Sequence, residues 1–214
     1  MSVRQVRNNG GNVIGSFPSF KLHKKIPYES TIERDLLFFL EHDPTIVDYQ
    51  AQPFVILHTS SDGTSHTYIP DFLVLRTTSK EIVECKPATH IDKDHTKQQV
   101  AIGQTWADAN DHAFVLITDV DLRTGHHLAN LKVLWRYRQL VPPPPFLEQC
   151  RLLLALHPNG LPLEVLSTPL REAFASLPLL PYLYALLFQR LLSIDLAQPL
   201  SFNSRVWLPP VYSS

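Results

Sequence analysis

Two short polar motifs contain residues suited to hydrolytic chemistry. Pro70-Asp71 is followed thirteen residues later by Glu84-Cys85-Lys86. Carboxylate oxygens are hard ligands of the kind that Mg²⁺ and Mn²⁺ prefer, and magnesium is usually held by one or two carboxylates together with water and substrate phosphate. The amine of Lys86 beside such an ion can orient an attacking water or stabilise developing negative charge. Together, these residue types are suited to the hydrolysis of a phosphodiester bond.

Both motifs are predicted to lie on adjacent β-strands. The first strand is predicted over Thr67–Leu75 and the second over Glu81–Lys86, and the polar residues between them are few enough to close a hairpin. Because side chains alternate along a strand, Glu84 and Lys86 share one face. The hairpin is therefore expected to place Asp71 beside that pair.

A helix upstream of the hairpin is expected to add a third carboxylate. Ser30 followed by Glu33 matches a capping box, and apolar residues recur with helical spacing from Ile32 to Leu40. Glu29 lies four residues before Glu33 and so on the same side of the helix start. Two interpretations of Glu33 remain: it only caps the helix, or it also faces the metal pocket.

The surrounding pattern predicts an α/β fold with a mixed central sheet. A strand around Gln52–Ile56 precedes the hairpin. The elements predicted after it are a helix from about Thr96 to Ala109, a buried strand at Ala113–Thr118 and a helix at Leu128–Leu140. Gln98 and Gln99 on the first of these helices are possible accessory residues at the scissile phosphate, although an exposed helical glutamine is the commoner case.

The run of prolines at 142–145 marks the clearest boundary, because it favours an extended polyproline spacer. Beyond it there is no lysine, and helices are predicted at 146–156, 162–166, 169–177 and 179–192, followed by a small wing at 193–207. The last of these helices offers only Arg190, whereas DNA-reading winged helices carry a basic recognition helix. A winged-helix-like module at 146–214 that docks a protein is therefore predicted, with a helical cap packed on the preceding α/β domain as the alternative.

Charge is distributed unevenly along the 214 residues. Residues 1–28 carry +5, residues 29–141 carry −6 and residues 142–214 are neutral, which gives the net charge of −1. A flexible basic arm is predicted at 1–26, where it either contacts DNA phosphates weakly or is a solvated tail. Its five cations are Arg4, Arg7, Lys21, Lys24 and Lys25.

The composition argues against secreted and membrane classes. Cys85 and Cys150 are too few for a disulfide framework, and no apolar signal-peptide core opens the chain. The most apolar stretch, Leu177 to Leu192, is interrupted by proline and polar residues and is too short to span a bilayer. A bacterial cytoplasmic location without membrane contact is expected.

Several motifs in order resemble a known family. They are Tyr28–Leu37, Leu40–Pro44, Gln52–Phe54, Tyr68–Val74 and Val83–Pro87, with weaker support from Val115–Leu122 and Asn130–Arg138. Together they resemble TnsA, the endonuclease subunit of heteromeric transposases, within the PD-(D/E)xK nuclease superfamily. The resemblance implies a restriction-endonuclease-like domain at 27–141, a Pro-rich linker at 142–145 and a partner-docking domain at 146–214.

The resemblance also implies site residues, a cofactor and partners. Glu33, Asp71, Glu84 and Lys86 match the catalytic positions, although Glu84 stands where some family members have Gln. Mg²⁺ or Mn²⁺ is implied as cofactor, with Asp71, Glu84 and the Cys85 backbone carbonyl as ligands, Glu33 as a candidate further ligand and Glu29 as an accessory residue. The implied reaction cuts the 5′ strand at transposon ends beside a TnsB-like integrase and a TnsC-like ATPase. A standalone restriction or repair nuclease and a catalytically idle scaffold are the alternatives.

Overall fold

A computed structural model describes residues 13–59 and 63–210 of the chain. The chain divides into two compact units, Met1–Thr124 and Gly125–Ser214. Arg4 and Arg7, which were predicted to contact DNA, lie outside the described residues. Within the described part, none of the helices has the length and apolar character needed to cross a membrane.

The first unit alternates strands and helices. Its strands are β1 (Gly15–Pro18), β2 (Lys25–Tyr28), β3 (Ile46–Ala51), β4 (Ile56–Thr59), β5 (Ser65–Tyr68), β6 (Phe72–Arg76), β7 (Lys80–Lys86) and β8 (Ala113–Thr118). Its helices are α1 (Thr31–His42), α2 (Asp94–Ala109) and α3 (Asp119–Arg123), with a short 3₁₀ turn at Ala88–His90.

The central sheet of this unit has the strand order β3-β6-β7-β8. β6 pairs antiparallel with both β3 and β7, whereas β8 pairs parallel with β7. α2 supplies the long connection that a parallel pair requires. The mixed central sheet is therefore confirmed, and β8 is half-buried rather than buried as predicted.

The N-terminal cap of α1 is confirmed. The Ser30 side chain accepts a hydrogen bond from the Glu33 backbone at 3.1 Å. The helix buries Ile32, Leu36, Leu37 and Leu40 on one side, in accordance with the predicted amphipathic spacing.

The continuous strand predicted over Thr67–Leu75 is wrong. The chain leaves β5 after Tyr68 and enters β6 at Phe72, and β5 pairs only with β4 in a separate two-stranded sheet. Pro70 lies in the break, where its missing N–H cannot serve a ladder. The strand predicted around Gln52–Ile56 is also displaced, because Gln52 has a positive φ of 46° between β3 and β4.

The flexible arm predicted for residues 1–26 is wrong from Gly15 onward, where β1 and β2 form an antiparallel hairpin. Glu41 of α1 holds the segment between these strands. Its buried carboxylate accepts hydrogen bonds from the Ser19 and Tyr49 hydroxyls and from the Phe20 and Lys21 backbone amides. These bonds satisfy a charge that would otherwise be costly to bury.

The second unit consists of helices and a small three-stranded sheet in the order β10-β11-β9. Its helices are α4 (His127–Trp135), α5 (Pro144–Ala155), α6 (Leu163–Ala173) and α7 (Leu179–Phe188). Its strands are β9 (Leu161–Pro162), β10 (Ser193–Ile194) and β11 (Arg205–Trp207). The two helices predicted at 162–166 and 169–177 are a single helix, α6, which accommodates Pro169. The winged-helix assignment stays a prediction.

The unit boundary differs from the one predicted at the proline run. α4 packs within the second unit, where the Trp135 and Phe188 rings lie 5.5 Å apart. Asn130 donates to the carbonyls of Leu196 at 2.9 Å and Gln198 at 2.7 Å. Pro144 begins α5 rather than ending a spacer, in keeping with the preference for proline in a first helical turn.

Candidate active site

The predicted hairpin brings the two motifs together. Asp71 directly precedes β6, and its Oδ2 accepts a hydrogen bond from the Cys85 backbone N–H of β7 at 2.7 Å. The backbone carbonyl of Asp71 accepts from the Gln52 N–H at 2.8 Å, which fixes the residue from the other side. Asp71 is thus held by main-chain contacts at the start of a central strand.

Glu84 and Lys86 form an ion pair on one face of β7. Lys86 Nζ lies 2.6 Å from Glu84 Oε1, and Glu84 is only 1% exposed. Burial works to lower the pKa of Lys86, but the charge and hydrogen bond of Glu84, together with the charge of Asp71, outweigh burial and the pKa is raised. Lys86 is therefore a cation at neutral pH, and the predicted sharing of a face is confirmed.

Tyr68 contacts the candidate site, and the sequence did not point to it. Its buried hydroxyl donates to Glu84 Oε2 at 2.7 Å. Burial, followed by the negative charge of Glu84, raises the pKa of Tyr68, so the phenol stays a donor. The sequence signal for it was Pro70. A proline breaks the strand, so that Tyr68 lies on β5 and not on β6, the strand that Asp71 precedes.

Glu33 lies at the start of α1 and is 6% exposed. Its carboxylate accepts a hydrogen bond at 2.8 Å from the backbone N–H of Glu29, the residue before the Ser30 cap. Its charge also acts on Asp71, whose pKa it helps to raise. The residue therefore serves the helix start and lies within electrostatic reach of Asp71, and its role at a metal pocket stays a prediction.

Three carboxylates and one ammonium make this site rich in negative charge. Burial first, and then the charges of Glu84 and Glu33, raise the pKa of Asp71 well above its ordinary value. Burial also raises the pKa of Glu33, with smaller contributions from Glu29 and Glu84. Like charges brought together in a poorly solvated place require either protons or a cation.

The chemistry of these donors fits a hard divalent cation, which prefers carboxylate oxygens. Among the residues that the structure describes, however, no three or more His, Cys, Asp and Glu side chains are grouped as a set that could hold a metal ion. Both oxygens of Glu84 are already bonded, to Lys86 and Tyr68. A cation bound to Glu84 would therefore compete with these two partners.

The two predicted accessory glutamines, Gln98 and Gln99, differ in their contacts. Gln98 contacts the His66 ring on β5 at 3.1 Å and so lies against the β4–β5 hairpin. Gln99 Oε1 is buried and has no hydrogen-bond partner among the described residues. A role for either glutamine, or for the Cys85 carbonyl as a ligand, stays a prediction.

The predicted DNA-contacting lysines are also placed differently from one another. The Lys21 ammonium donates to the carbonyls of Leu40, Asp43 and Ile46 at 2.6–2.9 Å, so it is occupied in closing the end of α1. Lys24 and Lys25 are exposed. Their contact with DNA stays a prediction.

Comparison with known families supports the resemblance. Residues 43–119 match the family model described as TnsA-like endonuclease N terminal. The matched segment contains Asp71, Glu84 and Lys86 and ends before the second unit; Glu33 precedes it. No curated protein matches the chain. The match supports an endonuclease of the PD-(D/E)xK superfamily.

Proposed function

We propose that this protein, whose residues 43–119 match the TnsA-like endonuclease family model, is the metal-dependent endonuclease subunit of a cut-and-paste transposase. It cleaves the 5′ strand at transposon ends. The observation that carries the proposal is the convergence of Asp71, Glu84 and Lys86 on the matched hairpin, with Glu33 within electrostatic reach.

In this proposal Asp71 and Glu84 hold Mg²⁺ or Mn²⁺, with Glu33 and the Cys85 carbonyl as further ligands. The bound ion supplies charge stabilisation at the phosphate and a more acidic water. Lys86, protonated at neutral pH, would orient an attacking water beside the Glu84 carboxylate with which it pairs. Tyr68 holds the second oxygen of Glu84 and so fixes the direction of that carboxylate.

The proposed partners are an integrase-type subunit that joins the 3′ ends and an ATPase regulator. The segment from residue 29 to 141 carries a net charge of −6, so this chain alone has little electrostatic attraction for DNA. The partners therefore deliver the nuclease to its DNA. The second unit, which is free of lysine beyond Lys132, is the proposed docking surface.

The test is a cleavage assay on duplex DNA that carries the transposon end, with the full chain, its partner subunits and Mg²⁺. We expect Asp71→Ala to lose 5′-strand cleavage by at least about a hundredfold while 3′ joining continues and cointegrates accumulate. Chelation of the metal should have the same effect on the wild type, and added Mg²⁺ should reverse it.

The matched control is Asp108→Ala, because Asp108 is an exposed aspartate of α2 bonded only to Gln104 in the described structure. Normal 5′ cleavage by Asp71→Ala would refute the site assignment. Equal cleavage of unrelated DNA without any partner would instead favour a standalone nuclease.

A further inference from the structure

The second unit contains a cavity of about 480 Å³. Residues of α5, of the turn after α7 and of the segment after β11 line it. Four of the residues that line it are aliphatic, Leu152, Ala155, Leu191 and Leu208, and two are prolines. Arg151 and Arg190 are the cationic residues of this lining. A mainly apolar concavity with a few polar groups is the usual form of a binding pocket.

Arg190 occupies a backbone position that normally belongs to glycine. Its φ is +61°, and it ends α7 in a Schellman motif. In this motif the Leu191 N–H donates to the Leu186 carbonyl at 2.9 Å, and the Arg190 N–H donates to the Leu187 carbonyl at 3.2 Å. Glycine would make this turn without strain. The backbone therefore does not favour arginine at this position.

The guanidinium of Arg190 has an unmet hydrogen-bonding need. Its Nη1 is buried and has no hydrogen-bond partner among the described residues. The neighbouring Arg151 pairs with Glu148 at 2.9 Å, and both side chains of this pair are largely exposed. A buried donor without a partner is costly. The partner that best satisfies an arginine fork is a carboxylate.

The apolar surface continues beyond the cavity along α5. Leu152 is 64% exposed, and Leu156, one helical turn later on the same side, is 77% exposed. A ligand that covers both leucines and also reaches Arg190 has the length of a polypeptide segment. Nucleic acid fits poorly, because its phosphates would face aliphatic and proline walls with only two arginines nearby.

We propose that this cavity binds a segment of a partner protein in which an apolar side chain stands beside an acidic one. The apolar side chain fills the space between Leu152 and Leu191, and the carboxylate pairs with Arg190. The identity of the partner rests on the function proposed above, since we assign the segment to one of the two transposase partners.

The test uses the full chain and overlapping fluorescein-labelled peptides that tile the two partner subunits. Binding is measured by fluorescence anisotropy. We expect a peptide with adjacent apolar and acidic residues to bind saturably, and replacement of its acid by the amide to weaken binding about tenfold. Arg190→Gly should weaken binding by a similar factor while the melting temperature stays the same or rises. A residue needed only for folding would not give that combination.

Leu152→Gln should weaken peptide binding as well, and because Leu152 is exposed, the substitution should leave the melting temperature unchanged. Arg171→Ala and Val165→Gln are the matched controls, since both residues lie exposed on α6 away from the cavity lining. Both controls should bind the peptide like the wild type.

Four results would overturn the proposal. They are the absence of any binding peptide, undiminished binding by Arg190→Gly, displacement of the peptide by duplex DNA, and a wild-type dimer that Leu152→Gln converts to monomer. Failure of the proposed nuclease function is recognised separately. The Asp71→Ala chain should bind the peptide normally, and if it also cuts DNA normally, the nuclease assignment fails while the docking result stands.

Discussion

At the scale of single residues, Glu84 is the most constrained member of the site. One oxygen is paired with Lys86 and the other accepts from Tyr68, while the residue itself is almost fully buried. Each partner limits where the carboxylate can turn. Its direction therefore depends on a phenol that belongs to a different sheet.

Tyr68→Phe tests this dependence. Loss of the hydroxyl leaves Glu84 Oε2 buried without its donor, which should cost about 1–3 kcal/mol of unfolding free energy. Cleavage should fall about tenfold, because the carboxylate is no longer fixed. Urea denaturation and the transposon-end cleavage assay measure the two effects. Tyr184→Phe is the control, a half-buried tyrosine of the second unit; an equal loss there would show that the effect is not specific to Glu84.

The principal site residues were accessible from the sequence because their relations are local. The Glu84–Lys86 pair follows from strand alternation, and Glu33 follows from the capping pattern that starts at Ser30. Tyr68 was not accessible in this way. Its contact with Glu84 depends on how the chain turns at Pro70, and no periodicity within either strand encodes that turn.

At the scale of secondary-structure elements, the start of α1 positions Glu33. Ser30→Ala removes the side-chain acceptor of the Glu33 N–H and should cost about 1 kcal/mol of unfolding free energy. Cleavage should fall with it, since the first helical turn carries Glu33. Ser30→Asp supplies another capping oxygen and should retain both stability and activity. If Ser30→Asp were as damaged as Ser30→Ala, the cap would not be the cause.

The end of α1 is joined to the β6–β7 hairpin by Arg76, which contacts Asp43 and Glu81 at 2.7 Å each. Burial alone would raise the pKa of Asp43, but hydrogen bonds from Arg76 and Thr45 outweigh it and hold the pKa below its ordinary value. A carboxyl with a lowered folded-state pKa contributes stability above its unfolded value and loses it as pH falls through the folded one.

Asp43→Asn should therefore destabilise the chain at pH 7 by about 0.5–1 kcal/mol, given the partial solvent screening of the pair. The difference from wild type should shrink as the pH falls below about 4. Urea midpoints across this range measure the effect. Asp92→Asn provides the comparison, because Asp92 is 91% exposed and lies 3.8 Å from Lys97. A pH-independent difference for Asp43→Asn would contradict the assignment.

At the scale of the whole molecule, the boundary between the two units lies between Thr124 and Gly125, earlier in the chain than the predicted boundary at the proline run. The proline run has the composition of a linker, yet α4, which precedes it, packs with α7. Composition identifies where a helix cannot continue, but it does not tell which partner an apolar helix face will find. This is the physical reason why the boundary was predicted too late in the chain.

Two fragments distinguish the boundaries. Residues 125–214 should melt cooperatively, whereas residues 146–214 lack the Trp135 and Asn130 contacts and should lose about 3 kcal/mol or more, a large part of a small unit's stability. Thermal melts followed by circular dichroism compare them. If the two fragments unfolded with equal cooperativity, the domain boundary would lie at the proline run.

The hairpin before α1 also determines how the protein can be produced in shortened form. A version that begins at residue 27, where composition alone would cut, lacks Ser19, Phe20 and Lys21. Glu41 would then lie inside the protein as a charge with most of its donors gone, and the end of α1 would lose the ammonium that closes it. Shortened versions that keep residues from Val13 onward should express in soluble form, and those that start at 27 should collect in inclusion bodies.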